Sequence, residues 1–261
     1  MLLDNTLQPT VLSLFSSTSS HPLVLASEVR CSATATTDSF VSLLDDETNE
    51  RETLVAFNGG PDELPQRVAA LNGVHLASAG EQIRGRVLHL QDPDCRTTSV
   101  RWGDHSEAGR RQRGLGIELA HVHLQVKDLG QTFFVDVGVV DDRDEVFVIR
   151  CSTFQSAPKA IAKTPSRPAL LHVPLVFPAA TPSRLTSWST LVLPLSTHLA
   201  SLPSFDLPTP GRFASVLSVE VHANCRLRRI WFSHDGKEPD EWMQRKGMMC
   251  ELALFAAGDT T

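Results

Sequence analysis

The chain has 261 residues, with 24 Lys and Arg against 30 Asp and Glu and a net charge of −6, which argues against a general nucleic-acid binder. Five widely spaced cysteines without a CxxC pair argue against a disulfide scaffold or zinc finger and point to reduced thiols in the cytosol. No apolar run reaches the length of a membrane span, and Asp4 stands where a signal peptide would carry Lys or Arg, so a soluble intracellular protein is expected.

Residues 2–15 read as an extended arm leading into a strand, 16–20 as a polar turn and 23–25 as a short strand. From 38 to 82 the character changes to an acidic run (DDETNERE), a turn signal at Asn58-Gly59-Gly60-Pro61 and a short helix candidate at 63–71. A solvated surface loop is the expectation there, with a partner-binding element as the alternative. Strand-like runs then recur at 86–90 and 97–102, on either side of Asp92-Pro93-Asp94, and at 118–126. The best hairpin is 132–140 with 145–151, flanking the polar loop Asp141-Asp142-Arg143-Asp144. Strands follow at 169–177 and 190–195, and prolines from Pro165 to Pro210 disfavour helices. Residues 248–255 alternate well enough for a closing strand. About ten short strands between turn signals predict an all-β chain folded as a single β-sandwich of jelly-roll type.

The segment SVEVHANCRLRRIWFS, residues 218–233, is the most informative. Val219, Val221, Ala223, Cys225 and Leu227 alternate as one buried face. The phase breaks at Arg228-Arg229 and resumes with Ile230 and Phe232, which predicts a bulge or tight turn, and Asn224 offers a second bend. Glu220, His222, Arg226 and Arg228 fall on the opposite face, expected to be wet and cationic. Cys225 shares the parity of the buried residues, so it reads as a small hydrophobe, not a nucleophile.

Other chemistry is sparse. His121 and His123 project from one strand face as in metal-binding cupins, with Gly114, Gly116 and Asp128 as a loose echo of that pattern. The glycine spacing is wrong, no Glu completes the ligand set, and only His172 or His222 could add a ligand. There is no G-x-S-x-G elbow or Walker loop. Carboxylates at Asp141, Asp142 and Asp144 and at Asp45-Asp46-Glu47 read as solvated runs. No cofactor, metal or enzymatic activity is expected. The basic clusters are Arg110, Arg111 and Arg113, and Arg226, Arg228 and Arg229; Arg forks suit carboxylate recognition at an interface.

HANCRLRRIWFS resembles the most characteristic segment of the cilia- and flagella-associated protein 20 family. MLLDNTLQPTVLSLFSSTSSHPL, GLGIEL, FFVDVGVVDDRDEVFVIRCSTFQS and Trp188 with LVLPL agree in order. The resemblance covers residues 1–40 and 83–255 and leaves about 41–82 as an insertion. It implies a sandwich similar to carbohydrate-binding modules, with an extended N-terminal arm. The implied role is structural, at the inner junction of ciliary doublet microtubules, where the B-tubule closes onto the A-tubule. The implied partners are α/β-tubulin and the parkin co-regulated gene product. The implied location is the cytoskeleton of the cilium or flagellum axoneme, or the basal body. Contact residues expected on this basis are Asn5 in the arm, Arg110, Arg111, Arg113, His222, Arg226, Arg228 and Arg229. The alternatives are a β-sandwich module for glycan or nucleic acid, including nuclear RNA metabolism, and a cupin-like metal enzyme using His121 and His123. For a glycan, Trp102, Trp188 and Trp242 are the candidate platform.

Overall fold

Fourteen strands of the computed structural model form two seven-stranded sheets. It describes residues 8–33, 37–59, 83, 85–104, 114–177 and 187–237. The first sheet runs β12 (Trp188–Pro194), β7 (His121–Asp128), β14 (Cys225–Ser233), β5 (Arg86–Gln91), β3 (Phe40–Asp45), β4 (Arg51–Ala56), with β1 (Val11–Ser16) also paired to β14. The second runs β10 (Lys159–Ile161), β11 (Ala169–Pro174), β9 (Val146–Ser152), β8 (Phe134–Asp141), β13 (Phe213–His222), β6 (Ser99–Gly103), β2 (Ala26–Arg30). Pairing is antiparallel except between β9 and β11. The main core lies between the sheets, where Val100, Trp102, Leu124, Val137, Val219 and Leu227 are fully buried. Each such side chain contributes about 1.5–3 kcal/mol by leaving water. The expected all-β sandwich is therefore what forms.

The hairpin β8–β9 forms where the pattern places it. Asp141 Oδ1 accepts the backbone N–H of Arg143 and Glu145, and Asp144 takes the left-handed conformation that closes the turn. Three expectations change. Residues 23–25 are a turn, closed by Val24 N to His21 O and Ala26 N to Leu23 O, and the strand begins at Ala26. Prolines do not exclude helix: α1 (Leu195–Ala200) starts directly after Pro194, and a 3-10 turn (Leu202–Phe205) carries Pro203 in its first turn, where no N–H is missed. The stretch expected as a solvated loop holds β3, whose Val41, Leu43 and Leu44 are buried, and its hairpin partner β4. Buried hydrophobes, not the acidic run beside them, decide that segment. The helix candidate at 63–71 and the strand at 248–255 lie outside the described residues.

Segment 218–233 is the larger surprise. It is not one strand but two, β13 in the second sheet and β14 in the first, so the chain crosses the sandwich within it. Asn224, the second bend foreseen, is the crossing point. Its Oδ1 accepts Asp92 N at 2.7 Å, its backbone N donates to Thr132 O at 3.0 Å, and Ala223 N donates to Thr98 O at 3.0 Å. The alternating residues 219–227 all face the core, because a strand that changes sheets at a bend keeps its inward parity. The register of β14 against β7 slips between Leu227 and Arg229, which is the bulge read from the sequence.

Candidate functional site

Strand register builds one row of polar side chains across the outer face of each sheet. On the first sheet, Trp188, Lys127, Arg226, His89 and Ser42 stand directly opposite one another along β12, β7, β14, β5 and β3. All are buried. The residue that covers them is Asp46, just past β3. Its carboxylate accepts Arg226 Nη1 at 2.6 Å, Trp188 Nε1 at 2.8 Å and the Ile83 N–H at 2.9 Å, with Lys127 Nζ at 3.3 Å. Arg226 also donates to Asn49 Oδ1 at 2.5 Å and, through Nε, to His89 Nδ1 at 3.2 Å. Burial alone would raise the Asp46 pKa, but Lys127 and Arg226 outweigh it and the carboxyl is held below its usual range. Burial, with Arg226 adding to it, drives His89 down to about 3. Around this network Phe40, Leu44, Ile83, Val87 and Trp188 form a second apolar cluster.

On the second sheet the row takes one residue from every strand: Lys159, His172, Arg150, Asp136, Glu220, Arg101 and Glu28, from β10 to β2. Arg150 forks onto Asp136 with Nε and Nη2 at 2.7 and 2.6 Å. Glu220 accepts Arg101 Nε at 2.9 Å, Arg30 Nη2 at 2.8 Å and Ser99 Oγ at 2.7 Å. Burial would raise the Glu220 pKa; His222 where it is protonated, the Ser99 hydrogen bond and Arg101 reverse this and lower it. His222 stacks on Phe134 with ring centroids 3.8 Å apart; neither ring nitrogen has a hydrogen-bond partner among the described residues, and Nε2 lies 3.5 Å from Glu220 Oε1. Burial pushes its pKa down to about 4, so at neutral pH it is an uncharged plate.

These positions correct the expected cationic wet face. Arg226 is 1% exposed and is an internal ion-pair partner, and His222 and Glu220 are buried as well. Alternation shows which residues share a face; it does not show whether a second layer covers it. Arg228 keeps partial exposure, with its pKa lowered to about 10 by burial and by Arg229 beside it. Arg229 is mostly buried, and its Nη2 reaches Thr18 Oγ1 at 3.4 Å. Structure thus brings Arg226, Arg228 and Arg229 onto one strand but puts His222 on the other sheet. Asn5, Arg110, Arg111 and Arg113 lie outside the described residues.

The other candidates resolve into packing. His123 is buried, stacks on Trp231 at 4.8 Å and bonds Ser233 Oγ at 2.7 Å, while His121 Nδ1 pairs with the His234 carbonyl at 3.0 Å. His172 and His222 stand on the opposite sheet from this pair, and no group of three or more metal-ligating side chains converges among the described residues. Trp102 and Trp188, offered as a glycan platform, are both buried; Trp242 lies outside the described residues. Cys225 is fully buried with its thiol pKa raised, and Cys151 is pushed up to about 12. Sequence reasoning missed Asp46, read as part of a solvated run. It also missed the whole second-sheet row, since register between distant strands cannot be read from local periodicity.

A family model of the CFA20 domain matches residues 69–246, taking in the tail of the stretch set aside as an insertion. The chain is similar to "Cilia- and flagella-associated protein 20" of Chlamydomonas reinhardtii, 33% identical over 66% of this chain and 75% of the relative. It is also similar to the proteins of that name from Paramecium tetraurelia, 31% identical over 62% of this chain and 72% of the relative, and from Caenorhabditis elegans, 24% identical over 62% and 68%. A match across more than half of the chain, on a two-sheet sandwich whose crossing segment is HANCRLRRIWFS, identifies this chain as a member of the CFA20 domain family.

Proposed function

We propose that this chain is a non-enzymatic structural protein of the ciliary or flagellar axoneme, binding α/β-tubulin at the inner junction where the B-tubule closes onto the A-tubule. The observation that carries the reading is membership of a family whose named relatives, from an alga, a ciliate and a nematode, are cilia- and flagella-associated proteins. The partners on this reading are tubulin and the parkin co-regulated gene product, in the cytoskeleton of the cilium and basal body. The mechanism is adhesive: modest contacts per subunit, repeated along a lattice, sum to a stable seam.

The experiment is co-sedimentation of the purified chain with microtubules, paired with tagged localisation in ciliated cells. Pelleting with polymer and signal along the cilium are the expected results. Diffuse nuclear signal with none in cilia would replace this reading with the nucleic-acid one. Among the arginines of the HANCRLRRIWFS segment, Arg228 is the partly exposed one. Arg228→Glu is expected to weaken pelleting several-fold with the fold intact, whereas Arg226→Glu is expected to destabilise the fold by setting a second buried carboxylate against Asp46, and so does not report on contact.

A further inference from the structure

The outer faces of the two sheets differ in kind. The first is sealed by Asp46 and its apolar surround; the second presents its charged row, flanked by Arg30, with 23–41% side-chain exposure at Arg101, Arg150 and Arg30. We propose that this second-sheet face, through Arg30, Arg101, Arg150 and Lys159, is the docking surface for an acidic protein partner. In combination with the proposed function, that partner is the acidic surface of the microtubule, so this identity rests on that reading.

The count of charges along the row is nearly balanced, but their depth is not. Asp136 and Glu220 stand directly opposite each other, a like-charge pairing that costs stability unless neutralised. Both are sunk, at 9% and 4% side-chain exposure, and guanidinium groups cover them. Apart from Glu28 at the β2 edge, 46% exposed and paired to Arg101 Nη1 at 3.0 Å, what an approaching partner meets is therefore cationic. Each arginine is held in place by the carboxylate below it, so little side-chain entropy remains to be lost on binding. Arg150 spends Nε and Nη2 on Asp136. Between Arg30 and Arg150 lies the buried His222–Phe134 stack, with the Arg150 guanidinium 4.4 Å from the Phe134 ring centre. A buried, uncharged floor lowers the local dielectric and strengthens the attraction between these arginines and an incoming carboxylate.

Phe154 and Ile161, 48% and 47% exposed, stand at the β9–β10 end of the same face beside Lys159 and His172. Aromatic and arginine side chains together are the composition of a protein interface core. A nucleic acid fits less well. Four cations interrupted by exposed Glu28, on a chain of net charge −6, neutralise too few phosphates for counterion-driven binding.

The test uses the full chain and two probes. In the first, polyglutamate is titrated while arginine Nε–H and backbone amide resonances are followed. Salt-sensitive shifts are expected at Arg30, Arg101, Arg150 and Phe154; shifts confined elsewhere, or none, overturn the proposal. In the second, microtubule pelleting of Lys159→Glu/Phe154→Ser is compared with that of Arg96→Glu, a charge-matched change on an exposed turn. The face variant is expected to lose at least tenfold in affinity with an unchanged melting temperature, and the control less than twofold. Wild-type-like pelleting of the face variant overturns this surface while leaving microtubule binding standing. Polyglutamate shifts on this face with no pelleting by the wild type would instead remove the tubulin reading and keep the acidic-partner surface. Tighter binding of a single-stranded oligonucleotide of equal charge at these resonances overturns the assignment to a protein.

Discussion

Arg226 and Asp46, 180 positions apart in the chain, meet at 2.6 Å with side-chain exposures of 2% and 0%. This ion pair fastens the residue after β3 to the start of β14, and Lys127, Trp188, Asn49 and His89 complete its hydrogen bonding. Removing one partner of a buried pair leaves an uncompensated charge, which costs about 3–5 kcal/mol. Asp46→Ala is accordingly expected to lower unfolding stability by that amount in urea titration. Exchange of Asp46, Arg226 and Lys127 together for apolar residues of similar volume is expected to recover much of it. Because the Asp46 carboxyl is held below its usual range, its contribution is present above the unfolded-state pKa of 3.8 and disappears as pH falls through the folded-state value.

A second acid sensitivity sets in earlier. Burial lowers His89 to about 3 and His123 and His222 to about 4, from 6.5. Below pH 6.5 the unfolded chain takes up protons at these rings that the folded chain does not, so stability rises with pH across the interval between folded and unfolded values. Each ring loses roughly 1.4 kcal/mol between pH 7.5 and 5.5, or about 4 kcal/mol for the three together. Urea denaturation at the two pH values measures this. His222→Phe, which keeps a ring on Phe134, is expected to remove about a third of the difference.

Thiol accessibility offers a separate check. Cys151 and Cys225 are buried and their pKa values are raised by desolvation, so the thiolate is scarce at neutral pH. Mass-mapped labelling of the native protein at pH 7.5 is expected to leave both unmodified until urea opens the sandwich. Rapid labelling of Cys225 under native conditions would contradict its inward parity on β14.

Gly103 ends β6 with φ of +73°, and a Cβ there would collide with the Leu217 carbonyl on β13. Backbone cannot move aside as a flexible side chain can. Gly103→Ala is expected to cost about 3 kcal/mol or more, read as a fall in melting temperature. Gly85→Ala is the informative contrast: its φ is +107° but, among the described residues and apart from its own chain neighbours, nothing lies within 4 Å of the added carbon, so it carries the conformational cost alone.

Much of this architecture is legible in one dimension. Alternation at 219–227, the polar loop of the β8–β9 hairpin and the phase break at Arg228-Arg229 each describe neighbours along the chain, and each appears where it was read. Local pattern fails where a second layer decides. β3 was hidden because the acidic residues beside it outweighed its buried Val41 and Leu43 in the reading, although one of those acids is the hub of the network.

The sequence by itself determined the all-β class, the inward face of each principal strand and the bend at Asn224, because these depend on side-chain period and turn chemistry. Only the tertiary structure decided that β13 and β14 belong to different sheets. It alone placed Arg226 beneath Asp46 and left Arg30, Arg101 and Arg150 on one outward face. The physical reason is that burial and charge pairing depend on which strands lie side by side and what covers them. Those relations join residues more than a hundred positions apart.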